Sequence, residues 1–120
     1  MSPTTIVLGA SPDPGRYSHV AVERLRRHGH DVVALGKRSG HIGDVRILQE
    51  APTDVEVDTV TLYLSSANQS MWESTIRAWR PRRVIFNPGA ENARFAQELR
   101  EQGVEVVEGC TLVMLSVGTY

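Results

Sequence analysis

Between an apolar run, Thr4–Leu8, and a helix-like stretch near Tyr17, the chain reads Gly-Ala-Ser-Pro-Asp-Pro-Gly-Arg-Tyr-Ser over residues 9–18. These residue types suit an anion. Gly9 lets another group approach the backbone closely, with Ala10 beside it; Ser11 offers a hydroxyl, and Gly15 permits an unusual backbone angle. Arg16 supplies a planar cationic fork matched to phosphate. Ser18 stands at the helix start and can cap it, where unpaired amide hydrogens and the helix dipole favour negative charge. The chemistry expected of this turn is the holding of a nucleotide's phosphates. The spacing is not Gly-x-Gly-x-x-Gly, because Ala10 and Ser11 follow Gly9, and a plain strand-to-helix connection also uses Gly and Pro.

The end of the next apolar run, Asp31–Leu35, is a second test. NAD-binding domains usually place an acidic residue there to accept hydrogen bonds from the ribose hydroxyls. Here Lys37 and Arg38 follow instead. A basic pair favours a phosphorylated ribose, as in NADP or coenzyme A; solvated loop charges are the plain alternative. Ser65 and Ser66 follow the third run and can cap the following helix or line a cleft. Asn87, Pro88 and Gly89 form another tight turn, and Glu91 in the next first turn complements a helix dipole.

Elements of a definite kind must position these residues. Thr4–Leu8, Asp31–Leu35, Val57–Leu64, Arg82–Phe86 and Val104–Val107 are short, β-branched and almost continuously apolar, as strands buried on both faces of a parallel sheet read. Between them, Tyr17, Ala21, Val22 and Leu25 form one helical stripe. Met71, Trp72, Thr75, Ile76 and Trp79 form a second, and Phe95, Ala96 and Leu99 a third. Gly29 and Gly103 suit left-handed helix closures and Pro81 ends the second helix. The alternation predicts an α/β fold, doubly wound: a mainly parallel five-stranded sheet with helices on both faces, Rossmann-like, in one domain over residues 1–120. Residues 36–53 are the least regular; Val45–Leu48 reads as a short extra strand. The tail from Cys110 is apolar enough to pack back as a helical turn. In such sheets ligands bind beyond the carboxyl ends of the strands where strand order reverses, usually beside the first strand.

Composition narrows the function classes. The 120 residues carry a net charge of −1, with 41% hydrophobic and 22% charged side chains. There is no basic field for nucleic acid and no polybasic run for a membrane surface. No apolar stretch approaches the ~20 residues that span a bilayer, and no basic-then-apolar leader opens the chain. The lone Cys110 cannot form an internal disulfide, so the expected location is the cytoplasm.

Residues for catalysis are sparse. His28 and His30 flank Gly29 at a helix end, where capping or solvent contact is expected; His19 lies nearest the phosphate turn, and His41 lies in the irregular loop without a partner. No Cys-x-x-Cys or His-x-x-x-His spacing is present, so no metal site is expected. Cys110, after the last strand, could accept an acyl group or pair with a thiol, although a small buried apolar role is the commoner one. Trp72 and Trp79, one above the other, suit either core packing or a subunit interface.

Through the Gly-Ala-Ser…Gly-Arg-x-Ser turn, the Gly-x-Glu-Asn helix start at Gly89–Asn92 and the late Cys110 before an apolar tail, the chain resembles the small single-domain CoA-binding proteins. Their fold is like the CoA-binding domain of the succinyl-CoA synthetase α subunit, and the likeness covers nearly the whole chain. It implies that Gly9, Ala10, Ser11, Arg16 and Ser18 hold the CoA diphosphate. It also implies that Lys37 lies near the adenosine end and that Ser65 and Gly89 neighbour the pantetheine arm. Where the family often has Asn-Pro, this chain has Leu35-Gly36. The phosphohistidine of the synthetase belongs to a later domain that these residues do not include. The first reading is therefore a module that binds CoA or an acyl-CoA without chemistry of its own, alone, as a homo-oligomer or for a partner protein. The alternatives are an NADP-binding oxidoreductase-like domain using Arg16, Lys37 and Arg38, and a CoA-binding subunit of a multi-subunit acyl-CoA ligase.

Overall fold

The computed structural model describes residues 4–120. A seven-stranded sheet has the order β3-β4-β2-β1-β5-β6-β7, with β1 Thr4–Leu8, β2 Asp31–Leu35, β3 Gly40–Ile42, β4 Val45–Leu48, β5 Val57–Leu62, β6 Arg83–Phe86 and β7 Glu105–Glu108. Every pairing is parallel except β3 with β4. The α/β class and the parallel centre are as expected from the continuous apolar runs, but the expected five strands become seven. Val45–Leu48 pairs with β2 through Ala34↔Ile47 and Leu35↔Leu48. Gly40–Ile42 folds back on it as a hairpin, so His41 sits on an edge strand and not in a loop. Three residues beginning with glycine are too few to show a period. β5 stops at Leu62, two residues early, although the Tyr63 amide still donates to the Leu8 carbonyl at 2.9 Å.

Helix α1, Tyr17–Arg27, buries Ala21, Val22 and Leu25 and closes at Gly29 with φ of 84°. The second apolar stripe is not one helix. It divides into α2, Ser66–Gln69, a 3-10 turn, Ser70–Trp72, and α3, Glu73–Trp79. Trp72 and Trp79 pack half-buried against the core, the packing role of the two expected. Pro81 follows the end of α3, as its missing N–H requires. α4, Ala93–Glu101, buries Phe95, Ala96 and Leu99, and Asn92 caps it by accepting the Phe95 amide at 3.2 Å. The tail forms α5, Thr111–Val117, beside α1.

The two faces of the sheet differ. On one, Ile6, Leu8, Leu35, Val60, Leu62, Val84 and Phe86 meet Ile76, Phe95 and Leu99 in an apolar core. On the other, Val7 and Ala34 meet Val22 and Leu25 of α1 and Leu115 of α5, and the region beneath α5 and the tail adds a set of polar contacts. There Thr61 Oγ1 and Thr111 Oγ1 lie 2.7 Å apart, and Tyr120 Oη meets Thr5 Oγ1 at 2.6 Å. Arg83, only 5% exposed, donates to Thr59 Oγ1 at 3.2 Å and lies 4.3 Å over the Tyr120 ring. Outside the apolar core, buried Glu73 is neutralised by Arg94 at 2.6 Å and by Arg77, and Glu98 completes the group. Among the described residues no helix is long and apolar enough to cross a membrane.

Candidate functional site

Because β2, β1, β5 and β6 are adjacent and parallel, the loops leaving their carboxyl ends form one rim. That rim carries Gly9, Ala10, Ser11, Arg16 and Ser18 after β1, Lys37 and Arg38 after β2, Ser65 after β5, and Pro88 and Gly89 after β6. The chain runs from β1 outward to β2 and later returns to β5 on β1's other side, so the strand order reverses between β1 and β5. That is where a crevice opens in this class of sheet.

Three glycines let the loops interlock. At Gly9, φ is 98°, and an added Cβ would lie 3.1 Å from the Tyr63 carbonyl carbon. At Gly36 the cause is space alone: an added Cβ would lie 2.1 Å from the Ala10 carbonyl oxygen. At Gly40 it would lie 2.8 Å from Pro12 Cβ. The chain's Leu35-Gly36 is thus a close backbone crossing. Gly15 has no positive φ; the unusual angle expected there is absent, because the loop reverses instead through Asp13, whose Oδ1 accepts the Gly15 amide at 2.9 Å.

The distribution of amides decides what the turn can hold. Gly9 N and Ala10 N both donate to Leu35 O, at 2.9 and 2.8 Å, so those amides serve the sheet. Asp13 N donates to Ser11 Oγ and Arg16 N to Asp13 O, each at 3.1 Å. Among the described residues, the amides of Ser11, Tyr17 and Ser18 have no protein acceptor. The last two begin α1, where the dipole is positive. Arg16 occupies the N-cap position with an extended backbone and an exposed side chain, and no side chain caps this helix. The cap expected of Ser18 is therefore absent: it is one residue inside the helix and buried. Ser65 does hold the N-cap position of α2, yet its carbonyl, not its hydroxyl, accepts the Asn68 and Gln69 amides. Lys37 and Arg38 are exposed at the start of the loop into the hairpin, which the Arg26–Asp44 ion pair at 2.7 Å ties to α1.

Two polar links that the sequence did not reveal brace the rim. Gln69 is fully buried; its amide nitrogen donates to Leu64 O and Ala90 O at 2.8 and 2.7 Å, joining the loops after β5 and β6. Buried Asn87 donates to Thr61 Oγ1 and Leu62 O and accepts the Thr111 amide at 2.9 Å, tying the β6 turn to α5. An amide side chain after a strand reads as a loop residue until its partners are known. Glu91 accepts the Gly89 amide at 3.0 Å, which is a turn-holding contact.

The other chemical candidates separate. His28 caps its own helix through Nδ1 and Arg24 O at 2.8 Å, as expected. His30 packs edge-on against Tyr120 at 4.9 Å; burial, His28 and Arg83 hold its pKa below the usual histidine value. His19 is buried, although one side of the first helical turn is usually exposed. Cys110 is half-buried at the N-cap of α5, more open than a core cysteine. Nearby, the Tyr63 hydroxyl is buried without a partner, and burial pushes its pKa up to about 12. Among the described residues no group of His, Cys, Asp and Glu could hold a metal ion. A hollow of about 520 Å³ lies at the opposite rim, between Arg80–Pro81 and Gln102–Val104, apart from all the expected site residues.

Comparison with known proteins adds independent findings. The profile of a family described as CoA binding domain matches residues 3–116. A crystal structure of an uncharacterized protein is 45% identical, covering 100% of this chain and 99% of its own, with a TM-score of 0.94. A structure from Thermus thermophilus, cell-free ID.343, is 22% identical over 99% of this chain and 91% of its own, with a TM-score of 0.86. A hypothetical protein from Pyrococcus horikoshii OT3 is 18% identical over 91% and 78%, with a TM-score of 0.82. The last two share the fold. No curated protein matches.

Proposed function

The chain belongs to the CoA-binding domain family, and on that premise we propose that it binds coenzyme A or an acyl-CoA as a module without chemistry of its own. The observation that carries the proposal is the set of unspent amides at Ser11, Tyr17 and Ser18 beside the exposed Arg16 guanidinium, at the point where strand order reverses. Backbone N–H groups, a helix N-terminus and an arginine fork together favour a diphosphate. Lys37 and Arg38 are the cations for the phosphorylated ribose. Ser65, Pro88 and Gly89 continue the rim toward the pantetheine arm. Gly9 and Ala10 shape the turn by close approach, their amides being committed to Leu35.

Thermal shifts with CoA, acetyl-CoA, NADP, NAD and ATP test this reading. A ligand that binds only the folded state adds about 2.7 kcal/mol at a hundred times its dissociation constant. Stabilisation by CoA and acetyl-CoA but not NADP is expected; stabilisation by NADP alone would transfer the site to the dinucleotide reading. Arg16→Ala should weaken CoA by about tenfold or more, the scale of a lost charge-assisted hydrogen bond. Unchanged affinity would remove Arg16 from the site.

A further inference from the structure

His19 is buried within the first turn of α1, directly behind the anion turn. Its Nδ1 lies 3.0 Å from the Ser11 carbonyl oxygen, and its Nε2 lies 3.8 Å from Glu23 Oε1. A carbonyl only accepts, so this contact requires the proton on Nδ1. The peptide unit it holds is unusual. Ser11 is followed by Pro12, so this unit has an acceptor oxygen and no N–H. Left free, that oxygen could turn toward the rim and present a partial negative charge where the turn otherwise offers donors. Pro12 is held from the other side by the close approach of Gly40.

We propose that His19 is a positioning residue of the diphosphate site: by donating from Nδ1 to the Ser11 carbonyl it keeps that oxygen turned away from the anion and leaves the Ser11 amide to face it. This role rests on the reading that the turn holds the CoA diphosphate. It also accounts for a titratable side chain buried one turn from an anion site without itself reaching the rim. Glu23 Oε1, 3.8 Å from Nε2, is too far for a hydrogen bond, so among the described residues the contact with the Ser11 carbonyl is the one hydrogen bond that orients the ring.

The test has two parts. In the wild-type chain, nitrogen-15 NMR of the imidazole should show the proton on Nδ1 in the Ser11 contact; a ring protonated only on Nε2 would overturn the proposal without any variant. His19→Leu should weaken CoA binding, measured by calorimetry, by about tenfold, the cost of an unpaired acceptor. His19→Asn, whose side-chain nitrogen falls near the position of Nδ1, should stay within about threefold of wild type. Equal losses in the two variants, or no loss in His19→Leu, would make the histidine merely structural. Should His19→Leu fail to fold, the NMR result and the His19→Asn affinity still decide: an Asn variant that folds and is weakened tenfold also overturns it. A wild-type chain that binds no CoA takes down the proposed function, and this role with it. Wild-type binding with indifferent variants takes down the role alone.

Discussion

The two faces of one sheet are built on different physics. Under α3 and α4 the inward residues of β1, β5 and β6 are Ile6, Leu8, Val60, Leu62, Val84 and Phe86. One position along the same strands, toward α5 and the tail, Thr5, Thr59, Thr61 and Arg83 are interleaved with the apolar Val7 and Ile85. Apolar burial is strong and non-directional, so it stabilises a layer without fixing a helix at one place on it. Hydrogen bonds contribute less each but demand a particular partner at a particular angle. The first face holds the sheet together. The second fixes where α5 begins, through Thr111 on Thr61 and Asn87, and where the tail ends, through Tyr120 on Thr5 and Arg83. Asn87 belongs to the rim as well, so the placing of α5 is shared with the candidate site.

Five measurements would break or sharpen this contrast. Phe95→Ala on the apolar face should cost the most, about 3–5 kcal/mol of unfolding free energy in denaturant titration; a cost below that of any threonine variant would refute the division of labour. Thr61→Val should cost about 1–3 kcal/mol, because Thr111 Oγ1 loses its partner and Asn87 loses one of two acceptors. The double variant Thr61→Val with Thr111→Val should cost less than the sum of the single changes, since both members of the hydroxyl pair are then gone; full additivity would show that the pair is not coupled. Tyr120→Phe should cost about 0.5–1.5 kcal/mol, from loss of the Thr5 contact alone. The smallest effect concerns pH. His30 is held below the ordinary histidine value of about 6.5 by burial, then by His28 and Arg83, against the opposing Asp58. The neutral ring is favoured in the fold, so its contribution is present above pH 6.5 and is lost as pH falls through that value toward the lower folded one. Wild type should lose stability between pH 7.5 and 5.5, and His30→Asn should lose less over that interval; equal losses would clear His30 of a part in the tail's attachment.

The apolar face was the legible one. Continuous β-branched runs located β1 and β2 to the residue, and the stripe through Phe95, Ala96 and Leu99 located α4. In β5, Thr59 and Thr61 alternate with Val60 and Leu62, but threonine is also a good strand residue, so the alternation did not announce a hydrogen-bonded layer. The hairpin strand Gly40–Ile42 is hidden in the sequence because its place is set by a close approach to Pro12 and a ladder to β4, both tertiary. The break within Ser66–Trp79 leaves no mark in the sequence, because the apolar spacing begins at Met71, inside the 3-10 turn, and runs on unchanged into α3. At the rim, residue types alone pick out loops that the topology brings to one edge of the sheet. They could not show that the Gly9 and Ala10 amides are already committed, that Ser18 lies inside the helix, or that His19 lies behind the turn. Each of those depends on where a neighbouring strand's carbonyl or a loop's oxygen happens to point.

Gly36 constrains how this protein can change. The volume that any side chain there would need is already filled by the oxygen of Ala10. A mutational scan at that site should therefore be insensitive to chemistry: alanine, aspartate and phenylalanine would fail alike at the first carbon. The damage would surface in the neighbouring loop, as a displaced first turn, so that the most informative handle on the first turn is a residue belonging to the second.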